Sequence, residues 1–230
     1  MSQASPASYP ARPLGVLATE IPGATALFRK HKLDFCCNGA TTLSDAANAK
    51  GLDPNRIAEE LAALKPTETE APRETGALIV HIIKRYHEVH RRELPELIRL
   101  AKKVEAVHGA RDDAPKGLAV MLQRFAAELD AHMQKEEFVL FPLMEQGGHP
   151  MISHPIAQMR AEHTDAGEQL ALIEPYTGPA PADACPTWRA LNAGLAKFAD
   201  DLMNHIHLEN NILFPAFETG AEECGCGGSH

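Results

Sequence analysis

The sequence predicts an all-α protein, an antiparallel four-helix bundle with a small helical module in front of it. Four long segments carry apolar residues at helical spacing, at about 75–108, 116–145, 152–174 and 187–218. No stretch shows sustained alternation of apolar and polar residues, so we expect no sheet. The first two connections between the segments are short, and short connections favour antiparallel neighbours.

The chain divides into a disordered leader at 1–13, a small helical module at 14–65, a linker at 66–73, the bundle at 74–218 and a flexible tail at 219–230. The leader is rich in Pro, Ser and Ala without periodicity, which is typical of disorder. In the module, Asp53 followed by Pro54 has the pattern of a helix N-cap with proline in the first turn. The linker is polar throughout.

The composition restricts the partners and the compartment. The formal net charge is −9 over 230 residues. This acidic excess argues against nucleic acid and against an anionic membrane, because both require a concentrated face of Lys and Arg. No apolar run approaches the roughly 18 residues of a membrane span, and the N-terminal residues lack the apolar region of a signal peptide. Five cysteines are too few for a disulfide scaffold, so we expect a cytoplasmic protein with reduced thiols.

The most specific feature is an internal repeat. The segment that begins at His132 reads HMQKEEFVLFP, and the segment that begins at His205 reads HIHLENNILFP. Each has a glutamate four residues after the histidine, at Glu136 and at Glu209. Positions i and i+4 lie on one face of an α-helix, so each copy presents an imidazole beside a carboxylate. Each pair therefore predicts two ligands of a metal site.

The helical segment before each copy carries a further candidate, His87 in the first case and His163 in the second. His87 lies about as far before its connection as His132 lies after it, so both reach a similar depth in an antiparallel pair. His90 stands three residues after His87 and could replace it after a modest rotation. The spacing leaves the choice between these two histidines open.

Six side chains then converge on one centre: His87, His132, Glu136, His163, His205 and Glu209. Two metal ions, each capped by two imidazoles and bridged by both carboxylates, would use all six and leave coordination positions open for a small ligand. Imidazole and carboxylate without thiolate suit iron or manganese better than a closed structural zinc site, although zinc would also bind.

The cysteines provide two further candidate groups. Cys36 and Cys37 are adjacent and could act as soft ligands, as redox groups or as transfer thiols, since neighbouring thiols form a disulfide only with strain. The alternative is a pair of partly buried small apolar side chains. Cys224 and Cys226 lie in the Gly-rich tail, where two thiols and a terminal histidine make an incomplete site.

The motifs HMQKEEFVLFP, HIHLENNILFP, RYHEVHRRELPEL and LFRKHKLDFCCNGATTL together resemble those of the repair-of-iron-centres proteins, the iron-sulfur cluster repair di-iron family. The resemblance covers about Pro13 to Glu218, and it includes a hemerythrin-like four-helix bundle and an N-terminal Cys-Cys module. It implies two non-haem iron ions with an oxo or hydroxo bridge. The same six residues would be the ligands, with the two glutamates as bridges.

The resemblance also implies a function. The family is associated with nitric-oxide and oxidative stress and with repair of damaged iron-sulfur clusters, through proposed iron donation or nitric-oxide handling. We therefore expect damaged iron-sulfur proteins as partners and nitric oxide or oxygen as small ligands. The alternative is a hemerythrin-like carrier or sensor of oxygen or nitric oxide. Oxygen-carrying hemerythrins have an additional histidine one turn from another ligand, where this chain has Gly167. Whether the protein is an enzyme, and its oligomeric state, stay open.

Overall fold

The computed structural model describes residues 6–64 and 71–218. The regular secondary structure of these residues is entirely helical, as predicted. Among them, the only β-type pairing is an isolated bridge between Pro13 and Thr42. No helix in the described part of the chain is long and apolar enough to cross a membrane. The chain divides into two compact units, one formed by Met1–Arg73 with Ile206–His230 and the other by Glu74–His205.

The α-helices of the described residues are, in chain order, α1 (Leu14–Glu20), α2 (Ala24–Lys30), α3 (Leu43–Ala49), α4 (Pro54–Ala62), α5 (Thr75–Ile82), α6 (Glu88–His108), α7 (Leu118–Lys135), α8 (Phe141–Glu145), α9 (Ser153–Ile173), α10 (Pro186–Leu208) and α11 (Pro215–Glu218). Short 3-10 helices occur at Pro6–Ala11 and Glu174–Tyr176. The tail with Cys224 and Cys226, and the linker residues 66–70, lie outside the described residues.

The sequence predicts a disordered leader at 1–13, but its second half, from Pro6, is ordered. Pro6–Ala11 forms a 3-10 helix in which Tyr9 is buried. The backbone carbonyl of Arg12 accepts a hydrogen bond from the amide of Leu43. The prediction is therefore wrong for this half, because burial of an aromatic ring and a backbone hydrogen bond outweigh a composition typical of disorder.

The N-terminal helices begin at the caps that the sequence indicates. Thr42 accepts a hydrogen bond from the amide of Asp45 at the start of α3. Asp53 caps α4 with Pro54 at the first helical position, so the predicted N-cap is confirmed. The core of these helices consists of fully buried apolar side chains, among them Leu14, Leu17, Phe28, Leu33, Phe35 and Leu43.

The last turns of the described chain belong to the same unit as the N-terminal helices. The side-chain amide of Asn210 donates to the carbonyl of Cys36 at 2.9 Å, and that of Asn211 donates to the carbonyl of Phe35 at 3.2 Å. The sequence places these turns in the bundle domain, 74–218. They group with the N-terminal module instead because their amides satisfy carbonyls in a loop that has no secondary structure of its own.

Four long helical segments follow the N-terminal helices, with bounds within a few residues of the predicted ones, and the second unit contains them up to His205 in the fourth segment. Side-chain contacts show that neighbouring segments are antiparallel, because partners late in one segment lie early in the next. For α6 with α7 the contacts are Arg91 to Asp130 and Glu105 to Ala119. For α7 with α9 they are Glu128 to Gln169 and Lys135 to Glu162. For the first segment with α10 they are Arg85 to Asp201, Glu93 to Lys197 and His108 to Cys185.

Three π-helical turns interrupt the helices, at Ile83–His87, Glu136–Leu140 and Glu209–Leu213. In each turn the carbonyl of the first residue accepts a hydrogen bond from the amide five residues later. The second and third turns are each followed, two residues after their last residue, by proline, at Pro142 and Pro215. Proline cannot donate to the carbonyl four residues before it, so the helix departs from α geometry just ahead of it.

Candidate metal centre

Each copy of the repeat places its histidine and glutamate where an α-helix passes into a π-helical turn. His132 lies in the last turn of α7 and Glu136 begins the π turn that follows. His205 and Glu209 occupy the same places at the end of α10. The widened turn comes only after the glutamate, so the i, i+4 relation is kept, and His132 Nε2 lies 3.4 Å from Glu136 Oε1.

His87 and His163 come from the two segments without a copy of the repeat. His87 is the last residue of the first π turn, and His163 lies near the middle of α9. Both imidazoles are buried, with 0% and 1% of their surface exposed. Such burial is uncommon for histidine without a partner that stabilises it.

The four imidazoles form two pairs. Nε2 of His87 lies 3.0 Å from Nε2 of His205, and Nε2 of His132 lies 3.0 Å from Nε2 of His163. Glu136 faces both pairs, since its Oε2 is 3.5 Å from His87 Nε2 while its Oε1 is directed at His132. Each carboxylate oxygen of Glu136 therefore faces a different imidazole pair.

The carboxylate of Glu136 has the surroundings of a metal ligand. Its side chain is fully buried, and neither oxygen accepts a hydrogen bond within the described part of the chain. A buried carboxylate without hydrogen bonds is costly unless a cation compensates its charge. The residues that are present thus fit a bound metal.

Glu209 follows His205 by one turn of a continuous helix, and it is also fully buried. Two groups of four side chains could each hold a metal ion: His87, Glu136, His205 and Glu209; and His132, Glu136, His163 and Glu209. In each group one ligand atom per residue lies within 4.8 Å of the others. The two groups share both glutamates, which is the arrangement that two bridging carboxylates require.

Two further carboxylates hold the outer nitrogens of the histidines. Nδ1 of His87 lies 2.7 Å from Oε1 of Glu137, and Nδ1 of His132 lies 2.9 Å from Oε2 of Glu162. A carboxylate at Nδ1 fixes the tautomer that directs Nε2 towards a metal, and it increases the basicity of the ring. The sequence interpretation missed both residues. The available signal was their position, since each is adjacent to a predicted ligand.

Cations and amides keep these two carboxylates ionised. The hydrogen bond from His87, joined by one from Arg91, lowers the pKa of Glu137 to about 2 against the effect of burial. Burial opposes ionisation of Glu162 most strongly, but hydrogen bonds from Lys135, Gln158 and His132 outweigh it and lower its pKa to about 2. Both groups are therefore anionic near neutral pH and can accept from an imidazole N–H.

His90, the alternative to His87 at the sequence level, belongs to neither group of candidate ligands. It is buried, its ring lies edge-on to Phe198, and its centroid is 5.5 Å from that of His205. Its Nε2 has no hydrogen-bond partner among the described residues. Burial, with the nearby histidines, lowers its pKa to about 2, so the ring is neutral. The structure thus groups His87, and not His90, with the candidate ligands.

The vicinal cysteines lie in the loop between α2 and α3. Cys36 is buried and Cys37 is half-buried, and neither forms a disulfide. Their sulfur atoms are 3.6 Å apart. Together with Asp34 they form a third group of side chains that could hold a metal ion. The sequence interpretation missed Asp34, although it stands only two residues before the first cysteine.

Two family models match the chain. Residues 78–217 match the hemerythrin HHE cation binding domain. Residues 11–65 match a domain of unknown function, DUF542. The two matches correspond closely to the predicted bundle and to the predicted Cys-Cys module.

The chain is also similar to curated bacterial proteins over most of its length. It is 46% identical over 216 residues to a probable iron-sulfur cluster repair protein of Haemophilus influenzae, a match that covers 90% of this chain and 97% of the relative. It is 50% identical over 209 residues to the iron-sulfur cluster repair protein YtfE of Cronobacter sakazakii, covering 89% and 95%. The corresponding protein of Citrobacter koseri is 48% identical over 213 residues, covering 90% and 97%.

Proposed function

The chain belongs to the family of iron-sulfur cluster repair proteins with a hemerythrin domain, and from this premise we propose that it restores iron-sulfur clusters damaged by nitric oxide or oxidative stress. Its clients are then damaged iron-sulfur proteins, and its small ligand is nitric oxide or oxygen. The proposed compartment is the cytoplasm, where reducing conditions keep Cys36 and Cys37 as thiols.

The observation that carries the proposal is the pair of buried groups that share Glu136 and Glu209. His87 and His205 would hold one iron ion, His132 and His163 would hold the other, and Glu136 and Glu209 would serve both ions. The proposed cofactor is a pair of non-haem iron ions with an oxo or hydroxo bridge, and it would exchange a small ligand.

The types of ligand atom support iron over a closed structural zinc site, because the two groups combine imidazoles with carboxylates and contain no thiolate. Bound iron would supply redox and Lewis-acid chemistry at this centre.

The protein residues contribute orientation and exclusion of water. Glu137 and Glu162 hold the Nδ1 protons of His87 and His132, so that the Nε2 lone pairs face inward. Phe141 stacks on His87, with ring centroids 5.8 Å apart, and both side chains are buried. An apolar ring against a candidate ligand would help to keep bulk water from the centre.

Lability of the centre would permit iron donation. The residue one turn after His163 is Gly167, so α9 offers no second imidazole at that place. A centre with fewer imidazoles holds its iron less tightly, which suits a donor better than a carrier. The names of the relatives support repair over the alternative, a carrier or sensor of oxygen or nitric oxide.

The test combines metal content with a repair assay. Purified protein should contain two iron ions per chain, with a Mössbauer spectrum of coupled non-haem iron that changes on addition of nitric oxide. It should restore the activity of an iron-sulfur enzyme inactivated by nitric oxide, whereas Glu136→Ala should lose both iron and repair. The matched control is His154→Ala, which removes an exposed imidazole on α9. Reversible oxygen binding without any effect on the damaged enzyme would select the carrier.

A further inference from the structure

Asp34, Cys36 and Cys37 form a second cluster of metal-binding side chains, in the loop between α2 and α3. One ligand atom of each residue lies within 4.8 Å of the others. The cluster contains two sulfur atoms and one carboxylate, a ligand set different from the imidazoles and carboxylates of the bundle. Thiolate sulfur selects softer, thiophilic ions.

The distances in this cluster match those of ligands around one tetrahedral ion. Two sulfur atoms bound at about 2.3 Å lie about 3.8 Å apart at the tetrahedral angle, and a sulfur and a carboxylate oxygen bound at about 2.1 Å lie about 3.6 Å apart. The observed separations are 3.6 Å between the sulfurs of Cys36 and Cys37 and 3.4 Å between Cys36 Sγ and Asp34 Oδ1. An ion could therefore bind with only small movements of the side chains.

The loop is held in this conformation by hydrogen bonds to its polar atoms. Asp34 Oδ1 accepts from the backbone amide of Cys37 at 2.9 Å, and Oδ2 accepts from the side chain of Asn38 at 2.6 Å. The carbonyl of Cys36 accepts from Asn210 at 2.9 Å. Outer hydrogen bonds of this kind orient a ligand before the metal arrives.

The two thiols do not form a disulfide, because their sulfur atoms are far beyond the roughly 2.05 Å of a disulfide bond. Cys36 is 4% exposed while Cys37 is half-buried, so the cluster has one covered side and one side that faces outwards. Two adjacent thiols that serve only as packing would not require an oriented carboxylate beside them.

We infer that Asp34, Cys36 and Cys37 bind a single thiophilic divalent ion through two thiolates and one carboxylate, with a fourth coordination position open. The assignment of that ion as ferrous iron in transit rests on the proposed function, whereas the site itself does not. An open fourth position would allow a sulfur ligand of a client protein to take over the ion.

Binding exchanges protons for the metal without oxidation or reduction. The divalent ion and two thiols give a bis-thiolate complex and release two protons to solvent. Because each metal ion that binds replaces two thiol protons, affinity should rise with pH.

The experiment uses the full chain with iron already bound in the bundle, in a background with the substitutions C185S, C224S and C226S. Cobalt(II) is added without oxygen as the probe. One cobalt ion per chain should bind with strong sulfur-to-cobalt charge-transfer absorption and release of two protons. Cys37→Ser should remove most of that absorption. Cys37→Ser and Asp34→Asn should each weaken the affinity for cobalt by about 10- to 100-fold.

Asn38→Ala, which removes an outer hydrogen bond, should weaken cobalt binding by about 10-fold. The matched control is Asn48→Ala, an exposed amide on α3, which should have no effect. Cys37 is half-buried, so its replacement by serine leaves no core cavity, and circular dichroism checks the fold.

Absence of the charge-transfer absorption, or its persistence in Cys37→Ser, would overturn the inference. Bundle iron and repair activity are measured in the same samples. If both are retained while cobalt gives no thiolate absorption, the inference fails and the proposed function stands. If the parent chain lacks bundle iron but shows the Cys37-dependent absorption, the proposed function fails and the thiolate site is upheld.

Discussion

Replacement of Glu162 by glutamine tests whether the outer carboxylates tune the metal centre. The carboxylate accepts from His132 Nδ1 at 2.9 Å and from Lys135 Nζ at 2.6 Å. Glutamine keeps the shape and one acceptor oxygen but removes the negative charge. His132 would then keep its orientation and lose the charge-assisted part of its hydrogen bond.

The magnitude follows from that difference. A hydrogen bond to a charged group contributes about 1.5 to 3 kcal/mol, roughly twice a neutral one, so the substitution should cost about 1 to 2 kcal/mol of metal binding. This corresponds to roughly 5- to 30-fold weaker affinity. Because Glu162 contacts His132 and not His87, the ion assigned to His132 and His163 should be lost first.

The assay is competition between the iron-loaded protein and increasing concentrations of a chelator, with Mössbauer spectra to distinguish the two ions. The matched control is Glu168→Gln, an exposed carboxylate on the same helix. Glu162→Gln should release one iron at a lower chelator concentration than the control. Equal retention in the two variants, or simultaneous loss of both ions, would refute a role of this carboxylate in holding His132.

Three other substitutions or reactions have defined outcomes. Gly39→Ala would place a Cβ 2.5 Å from the side-chain oxygen of Asn211 and 2.9 Å from the backbone carbonyl oxygen of Phe35, which cannot move aside as a side chain can. This change should lower the free energy of unfolding in urea by about 1 to 3 kcal/mol. Gly178→Ala, with nothing within 4 Å of the new Cβ, should change it by less than about 0.5 kcal/mol, and equal effects of the two substitutions would contradict the clash. Phe125→Ala, at a fully buried position, should cost about 3 to 5 kcal/mol in the same assay, and a loss below about 1 kcal/mol would mean that the site collapses or that the ring is not core. The hydrogen bond from His108 lowers the pKa of the Cys185 thiol to about 7, so its alkylation rate, followed by mass spectrometry, should rise through pH 7 as the thiolate forms and should shift to higher pH in H108A; an unshifted midpoint would exclude the histidine as the cause.

The helical segments and the six candidate ligands were within reach of sequence reasoning. Helical periodicity fixes which residues share a face, and a repeated His and Glu at i, i+4 places two ligand types together without knowledge of the tertiary structure. His132 with Glu136 illustrates this, since their relation is local to one helix. The assignment of all six residues as ligands remains a prediction until a metal is located.

The supporting residues were not predictable in the same way. Glu137 and Glu162 are each adjacent to a predicted ligand, but in helices rich in charge this position alone does not distinguish a carboxylate that holds an imidazole from one that faces water. Asp34 meets its cysteines through a loop conformation that propensities do not specify. Tyr9 is buried by tertiary contacts, which override the disorder that its neighbours indicate.

The π-helical turns shift the helical phase in three of the four segments that carry candidate ligands, whereas α9 is an uninterrupted α-helix. A turn with one extra residue rotates everything beyond it by about 100° relative to an uninterrupted α-helix. His132 before the turn and Glu136 at its start can therefore face the candidate metal centre, while Leu140 and Phe141 are buried in the apolar core. Deletion of the exposed Val139 would remove that offset and force a choice between coordination and packing. Insertion or deletion of a single residue in these turns would therefore determine whether the helix can both present its candidate ligands and pack its apolar side chains in the core.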